Sequence, residues 1–343
     1  MFSHVESIRI SGVWLPLSFF SDLASIFLQE CIAFIVGMAQ IIHAFSKSDY
    51  KTILVPVTCY GLLASSRLPD FVTTINLLVW IWTFLLQFCA ANQIYSIDED
   101  LANKPYRPIP SGLISVQFTY VVRWGLVPIC LYLSWVHQVF YAGLSLTLAF
   151  VFYNELGLDS YWYSKSLLNA IGIVSWNVGA ALITSQGPHG LCGQYQVTPF
   201  ISVALIWTTI HVQDFRDEAG DRLQGRITLP TFLPVASRYL TLFLLNSWSV
   251  ALAIFWQLGP AALACFVAFG IYLSFHILLQ RTEEDDKVSL RLYMVCAGRG
   301  FVFCDVLAYP SSPDLAYSCS DPSVPRGSIT GGLSKLVNVG YRY

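Results

Sequence analysis

Charge is what this chain has least of. Aspartate, glutamate, lysine and arginine make up 12% of its 343 residues, against 55% hydrophobic ones, where a soluble domain carries about a quarter of its residues as charge. A water-soluble globular fold is thereby excluded. A basic excess is also missing: the net charge of -2 argues for no nucleic-acid partner. The nine cysteines (Cys31, Cys59, Cys89, Cys130, Cys192, Cys265, Cys296, Cys304 and Cys319) stand singly, with no CxxC pair. That spacing offers no metal-ligand pattern, and the cysteines read as small lipid-facing or core residues. Nor does the beginning read as a cleavable signal: residues 1–10 hold Glu6 and Arg9, and no small-residue cleavage pattern follows a short apolar core.

What is present instead is a series of uncharged runs. A run of roughly 18 residues or more can cross a bilayer as a helix because its backbone polar groups are satisfied internally. Spans are expected at 51–66, 71–92, 116–135, 136–157, 166–185, 197–213, 236–257 and 260–280. A ninth, 290–308, is interrupted by Arg299 and Asp305, and 24–45 is apolar enough to span despite Glu30. The fold expected is all-α, a polytopic membrane bundle of about nine helices. With these spans, Lys104, Arg107, Arg123, Lys165, Arg216, Arg222, Arg226, Arg238, Arg281, Lys287 and Arg291 fall on one side, and Arg67 on the other. The positive-inside rule assigns the charged rim to the cytosol. With no other targeting signal, an intracellular membrane such as the endoplasmic reticulum is the expected location.

Two charged clusters interrupt the apolar text. "NQIYSIDEDLANKPYRPIPSG" (92–112) follows the run ending at Ala91, and "HVQDFRDEAGDRLQGRITLP" (211–230) follows another. At about 100° per residue, Asp214, Asp217 and Asp221 share an arc of roughly 60°. Asn92, Ser96 and Asp100, at i, i+4 and i+8, drift through about 80°, and Asn92, Ser96, Glu99 and Asn103 keep to a tighter stripe. Carboxylates stacked on one stripe at a membrane boundary repel unless a cation holds them. Oxygen ligands with few charges suit magnesium, which keeps several waters and takes one or two carboxylates plus substrate phosphates. A single charge cluster beside a span ordinarily just fixes topology. Two that share a side, helical spacing and a trailing run of basic residues and proline favour a joint metal and diphosphate site.

These residues resemble the UbiA superfamily of intramembrane prenyltransferases. Its first motif reads NDxxDxxxD followed by NxPxRPIPSG, and its second DxxDxxxD followed by GxxTLP. The resemblance covers about Asp49 to Val295, including "DDKVSLRLYMV" before the last helix. It implies nine transmembrane helices around a central cavity, the acidic motifs facing each other across its cytosolic mouth. It also implies Mg2+ ions bridging both motifs to an isoprenoid diphosphate, with the prenyl tail in the apolar cavity. Asn92 and Asp100 match metal positions of the first motif, and Asp214, Asp217 and Asp221 those of the second. Lys104 and Arg107 match diphosphate-gripping positions, Arg222 and Arg226 are similar candidates, and Lys165, after "DSYWY", resembles another phosphate-binding lysine. Gln93 and Ser96 replace two family aspartates. The resulting NxxxSxxxD, with Ser96 a metal ligand, looks like the magnesium triad of class I terpene cyclases, and the NQxxS form resembles a fungal branch that includes membrane-bound sesquiterpene cyclases.

The expected chemistry is ionisation of an allylic C–O bond. The cation is then captured by a small acceptor, aromatic or similar, in a prenyltransferase, the reading favoured by the family scaffold, or by its own alkenes in a cyclase acting on farnesyl diphosphate. Phe88, Tyr95, Tyr153, Trp176 and Trp207 are candidate cation-facing walls, although packing or interfacial anchoring is the commoner role of any one aromatic in so aromatic a chain. Asn154, Asn169 and Asn177 mark either a cavity or interhelical bonding. A non-catalytic transporter would spread charge through the bilayer depth, whereas here it gathers at one rim. By organisation, 1–48 is an N-terminal segment with room for an extra membrane helix, 49–295 the catalytic unit, and 296–343 an atypical tail rich in serine, proline and glycine. That tail reads as the product of a misjudged reading frame or splice choice.

Overall fold

A computed structural model of the chain describes residues 7–10, 13–65, 68–185 and 198–294. The 296–343 tail and most of the interrupted ninth run lie outside these. Two short antiparallel strands, Ser7–Ile10 and Val13–Pro16, come first, and the elements that follow them among the described residues are helices. In chain order the helices are α1 (Leu17–Ser46), α2 (Val55–Ala64, preceded by a π-turn at Tyr50–Leu54), α3 (Phe71–Tyr95), α4 (Ile97–Asn103), α5 (Val116–Val136) and α6 (Phe140–Phe150, prolonged by a π-turn at Val151–Glu155). They continue with α7 (Trp162–Thr184), α8 (Thr198–Thr209), α9 (Val212–Leu223), α10 (Leu229–Phe232), α11 (Ala236–Phe255) and α12 (Pro260–Leu279). Residues 283–294 form one more helical stretch.

Of these, six are long and apolar enough to cross a membrane: α1 from Ser21, α3, α5, α7, α11 and α12. The expected runs 51–66 and 197–213 are shorter apolar helices, Tyr50–Ala64 and Thr198–Thr209, and 136–157 becomes α6 with its π-turn. Polar chemistry explains the ends. Asp70 caps α3 by accepting from Thr73 N–H at 2.7 Å, Ser115 caps α5 by accepting from Phe118 N–H at 3.2 Å, and Pro260 opens α12. These caps satisfy orphan donors that lipid could not.

The centre of the bundle is α7, with 61% of its apolar window buried against 39% for α3 and none for α1. Small residues bring its neighbours close. Gly179 lies against the Trp80 indole, Gly143 of α6 against Ser134, and Gly61 of α2 against Ala180. Trp80 Nε1–H in turn donates to Ser134 Oγ at 2.9 Å, joining α3 to α5. Helices in lipid associate through such close packing and buried hydrogen bonds, because apolar burial alone gives no preference for protein over lipid. The largest cluster, with Leu77, Trp80, Ile81, Phe84, Phe150 and Trp176, therefore sits where α3, α6 and α7 meet.

A Cβ at Gly179 would overlap the Trp80 ring, whereas one at Gly37 meets nothing within 4 Å. Gly179→Ala should cost about 1–3 kcal/mol by overpacking, seen as a lower unfolding temperature in detergent, with Gly37→Ala unchanged. Equal melting of both variants would contradict this packing.

Candidate active site

Both acidic stretches begin where an apolar helix breaks. α3 ends at Tyr95 and α4 restarts at Ile97, with Ser96 (φ -116°, ψ 29°) between them. The Ser96 hydroxyl donates to the Asn92 carbonyl at 2.8 Å, a back-bond that bends helices. Before α9, the hydroxyls of Thr208 and Thr209 bond back to Ala204 and Leu205 at 2.8 and 2.7 Å, and Ile210 and His211 separate α8 from α9. The single helical stripe expected from Asn92 to Asp100 is thus divided between two helices.

In the first stretch, Asp100 is fully buried and both of its oxygens accept from Arg107 Nη1 at 2.8 Å. Ser96 Oγ stands 3.4 Å from Asp100 Oδ2, Asn92 is half-buried at the end of α3, and half-buried Lys104 forms the C-cap of α4. Gln93 points elsewhere: its amide donates to the Phe45 carbonyl at 3.2 Å, fastening α1 to α3. In the second stretch, Asp214 and Asp221 are buried, and Lys165 of α7 places Nζ 2.7 Å from Asp214 and 3.7 Å from Asp221. Asp217 stands apart, about half exposed and paired with Arg216 at 3.1 Å. Arg222 is exposed and engaged by Glu218 at 2.8 Å.

Arg226 joins the two stretches. Its guanidinium lies 3.2 Å from Glu99 on α4, 3.2 Å from Asp159 in the short 3-10 turn before α7, and 3.5 Å from Asp221. Gln224 Nε2 donates to the same Glu99 oxygen at 3.0 Å. Backbone bonds from Ile227 N–H to the Ser160 carbonyl, 2.8 Å, and from Trp162 N–H to the Ile227 carbonyl, 2.7 Å, lace the same loops together. Burial pushes the Asp159 carboxyl above its ordinary range, with Arg226 and Lys165 opposing. Sequence spacing gives Glu99 only a place on a stripe and gives no signal for Asp159, whose partner lies in a distant loop.

Among the described residues, no three His, Cys, Asp or Glu side chains form a ready-made metal cluster. The donors nevertheless fit magnesium. Lys165 Nζ reaches Asp214 Oδ1 at 2.7 Å, and the second oxygen of Asp214, Oδ2, and Oδ2 of Asp221 have no hydrogen-bond donor. Burial pushes the Asp214 carboxyl above its ordinary range, and Lys165 pulls it back without cancelling the shift. A buried anion left short of partners gains most from a second cation. Magnesium needs only one or two carboxylates when phosphate oxygens complete its shell.

Beneath this charged rim lies an aromatic wall. Phe88, Phe150 and Trp176 meet pairwise with ring centroids 5.2, 6.4 and 5.5 Å apart, and Tyr153 on the π-turn meets Phe88 edge-on at 6.2 Å. Tyr153 also lies within electrostatic reach of Lys165, Asp159, Asp214 and Arg226. The π-turn carrying it is anchored by Glu155, which accepts from buried Arg123 Nε at 2.9 Å. Two of the expected aromatics face outward: Tyr95, 48% exposed, packs edge-on against Tyr120, and Trp207, 44% exposed, donates to the Tyr163 carbonyl at 3.3 Å. These two suit the membrane interface, where a polar tip and apolar ring are both satisfied. Asn154 donates within its own turn to Phe150 at 3.1 Å, whereas buried Asn169 Nδ2 and Trp176 Nε1 have no partner. A separate pocket, lined by Thr73, Asn76, His137 and Gln138 among others, lies at the opposite ends of α3 and α7 from the acidic stretches.

Compared with known proteins, residues 53–296 match the UbiA prenyltransferase family. The chain is 33% identical over 265 residues to fumagillin beta-trans-bergamotene synthase af520 of Aspergillus fumigatus, covering 75% of this chain and 89% of that protein. It is 28% identical over 321 residues to diterpene cyclase eriG of Hericium erinaceus, covering 86% and 95%. Its fold is similar to that of a UbiA homolog from Archaeoglobus fulgidus bound to DMAPP and Mg2+, with TM-score 0.61 at 13% identity over 78% of this chain and 98% of that one.

Removing Arg107 would leave Asp100 buried and uncompensated, at a cost of about 3–5 kcal/mol. Arg222 is an exposed i,i+4 partner whose loss costs under about 0.5 kcal/mol. Thermal unfolding of Arg107→Ala and Arg222→Ala should therefore separate widely, and similar melting would count against the buried pair.

Proposed function

Because this chain belongs to the UbiA prenyltransferase family, we propose that it is a magnesium-dependent intramembrane terpene cyclase that ionises an isoprenoid diphosphate and lets the cation close on its own alkenes. The observation that carries the reading is the pairing of buried, donor-poor Asp214 and Asp221 with an aromatic wall directly below them on α3, α6 and α7. Ser96 in place of a family aspartate and the cyclase names of the relatives support cyclisation. The family's own description favours a second reading, transfer of the prenyl group to a small acceptor.

In this proposal Asn92, Ser96 and Asp100 on one side and Asp214, Asp217 and Asp221 on the other would hold magnesium, which when bound supplies Lewis-acid stabilisation of the departing diphosphate. Lys165, Arg226, Arg107 and Lys104 grip phosphate oxygens, each adding a charge-assisted contact where negative charge develops. Arg222, turned to solvent, would contribute by steering the anion. The C–O bond breaks, its electron pair leaves with the diphosphate, and the aromatic faces of Phe88, Phe150, Tyr153 and Trp176 shield the cation from water at about 0.5–2 kcal/mol each; after ring closure the cyclic cation loses a proton, which the departed diphosphate can accept, to leave a neutral hydrocarbon. The catalytic unit is 49–295, with α1 a peripheral membrane helix of the 1–48 segment. The clustered arginines and lysines support a rim facing the cytosol, in an intracellular membrane such as the endoplasmic reticulum.

Membranes holding the chain, supplied with geranyl, farnesyl or geranylgeranyl diphosphate and Mg2+, should release a cyclic hydrocarbon without any acceptor. Chelation should abolish it. Asp100→Asn or Asp214→Asn should lower turnover at least 100-fold, about 2.7 kcal/mol. Product that forms solely when an aromatic acceptor is added would replace cyclisation by transfer.

A further inference from the structure

Five glycines are buried among the described residues of the bundle: Gly61, Gly143, Gly172, Gly179 and Gly270. Four have an evident packing reason, since a Cβ at Gly61, Gly143, Gly179 or Gly270 would come to 3.0 Å or nearer of Ala180, Ser134, Trp80 or Ser249. Gly172 differs. It is as buried as the others, yet a Cβ there would meet nothing within 4 Å. Cores are packed to the density of organic crystals, and a glycine in mid-helix gives up stability relative to alanine. A buried glycine that faces open space therefore needs a reason outside helix packing.

Its position supplies one. Lys165, Asn169, Gly172 and Trp176 follow one another on α7 at intervals of four, three and four residues, which keeps them on one stripe of the helix. At the top of that stripe Lys165 meets Asp214 at 2.7 Å. At its foot Trp176 meets Phe88 and Phe150. Along the same stripe, Asn169 Nδ2 and Trp176 Nε1 have no hydrogen-bond partner, so no protein group claims the polar atoms on either side of Gly172. Gly172 lies about 10 Å along the helix from Lys165, past the diphosphate end and level with the hydrocarbon wall.

We propose that Gly172 sets how much prenyl chain the pocket can take, its missing side chain being the room in which the distal isoprene units lie and fold. The inference rests on the proposed binding of an isoprenoid diphosphate and adds to it the residue that selects among chain lengths. It requires no bond to form or break at Gly172.

The test is binding to the detergent-solubilised full chain, with Mg2+, of unreactive thiolodiphosphate analogues of geranyl, farnesyl and geranylgeranyl diphosphate, alongside inorganic pyrophosphate. Gly172→Leu should weaken the longest analogue the wild type binds at least tenfold, change the geranyl analogue less than threefold and leave pyrophosphate unchanged. Gly172→Ala should shift the series in the same direction by less, and should melt no lower than wild type, in contrast to Gly179→Ala. Equal affinities for all three chains in Gly172→Leu, or a parallel loss that includes pyrophosphate, would overturn the inference, as would a Gly172→Ala that melts as low as Gly179→Ala. Failure of the wild type to bind any of the analogues or pyrophosphate would remove the diphosphate reading itself, and the inference with it.

Discussion

The structure depends on placing several carboxylates, buried, at the edge of a membrane bundle without letting them repel each other apart. Each is met by a cation from a different part of the chain: Asp100 by Arg107, Asp214 and Asp221 by Lys165, and Glu99, Asp159 and Asp221 together by Arg226. A buried ion pair adds little to stability by itself, but an unpaired buried charge costs several kcal/mol. Those cations therefore specify where α4, α9 and the start of α7 must stand relative to one another. The balance is incomplete at Asp214 and Asp221, each of which keeps one oxygen without a hydrogen-bond donor, and that shortfall is what an incoming metal and its phosphate oxygens would relieve. The same positive groups that hold the rim together are suited to meet a multiply anionic ligand.

Below the rim the demand is the opposite one, an enclosure of aromatic faces that keeps water from a cation. Phe88, Phe150 and Trp176 provide it from three helices at once, which fixes the wall more firmly than residues of one helix could. Tyr153 spans both environments because the π-turn at Val151–Glu155 re-aims the end of α6, and Arg123 pins that turn through Glu155. π-turns of this kind recur at functional sites since they change side-chain direction without ending the helix. Arg123, read from sequence as one more cytosolic rim charge, is instead fully buried.

Most of the membrane-crossing architecture was readable from charge-free runs, because lipid leaves helices few alternatives. The long helices α3, α5, α7, α11 and α12 fall where those runs do. What could not be read are features set by a single side-chain contact. The breaks at Ser96 and before α9 carry no proline or glycine and arise from hydroxyls bonding back to carbonyls. Asp217 shares a 60° arc with Asp214 and Asp221 but faces solvent, since an arc that narrow can still straddle the edge between protein and water. Gln93, prominent as a departure from the motif, is engaged by the Phe45 carbonyl. Asp159 and Phe150 became visible only once distant segments met, and Gly172 only once the space in front of it could be seen.

The central claim is that the acidic stretches on α3–α4 and on α9 hold one diphosphate together. It is tested most directly by electron spin resonance of Mn2+, replacing Mg2+, bound to the solubilised chain with inorganic pyrophosphate. The account predicts phosphorus coupling to the bound Mn2+ that is lost in Asp100→Asn and equally in Asp214→Asn. Coupling that survives intact when either stretch is disabled would show that the two do not share a site.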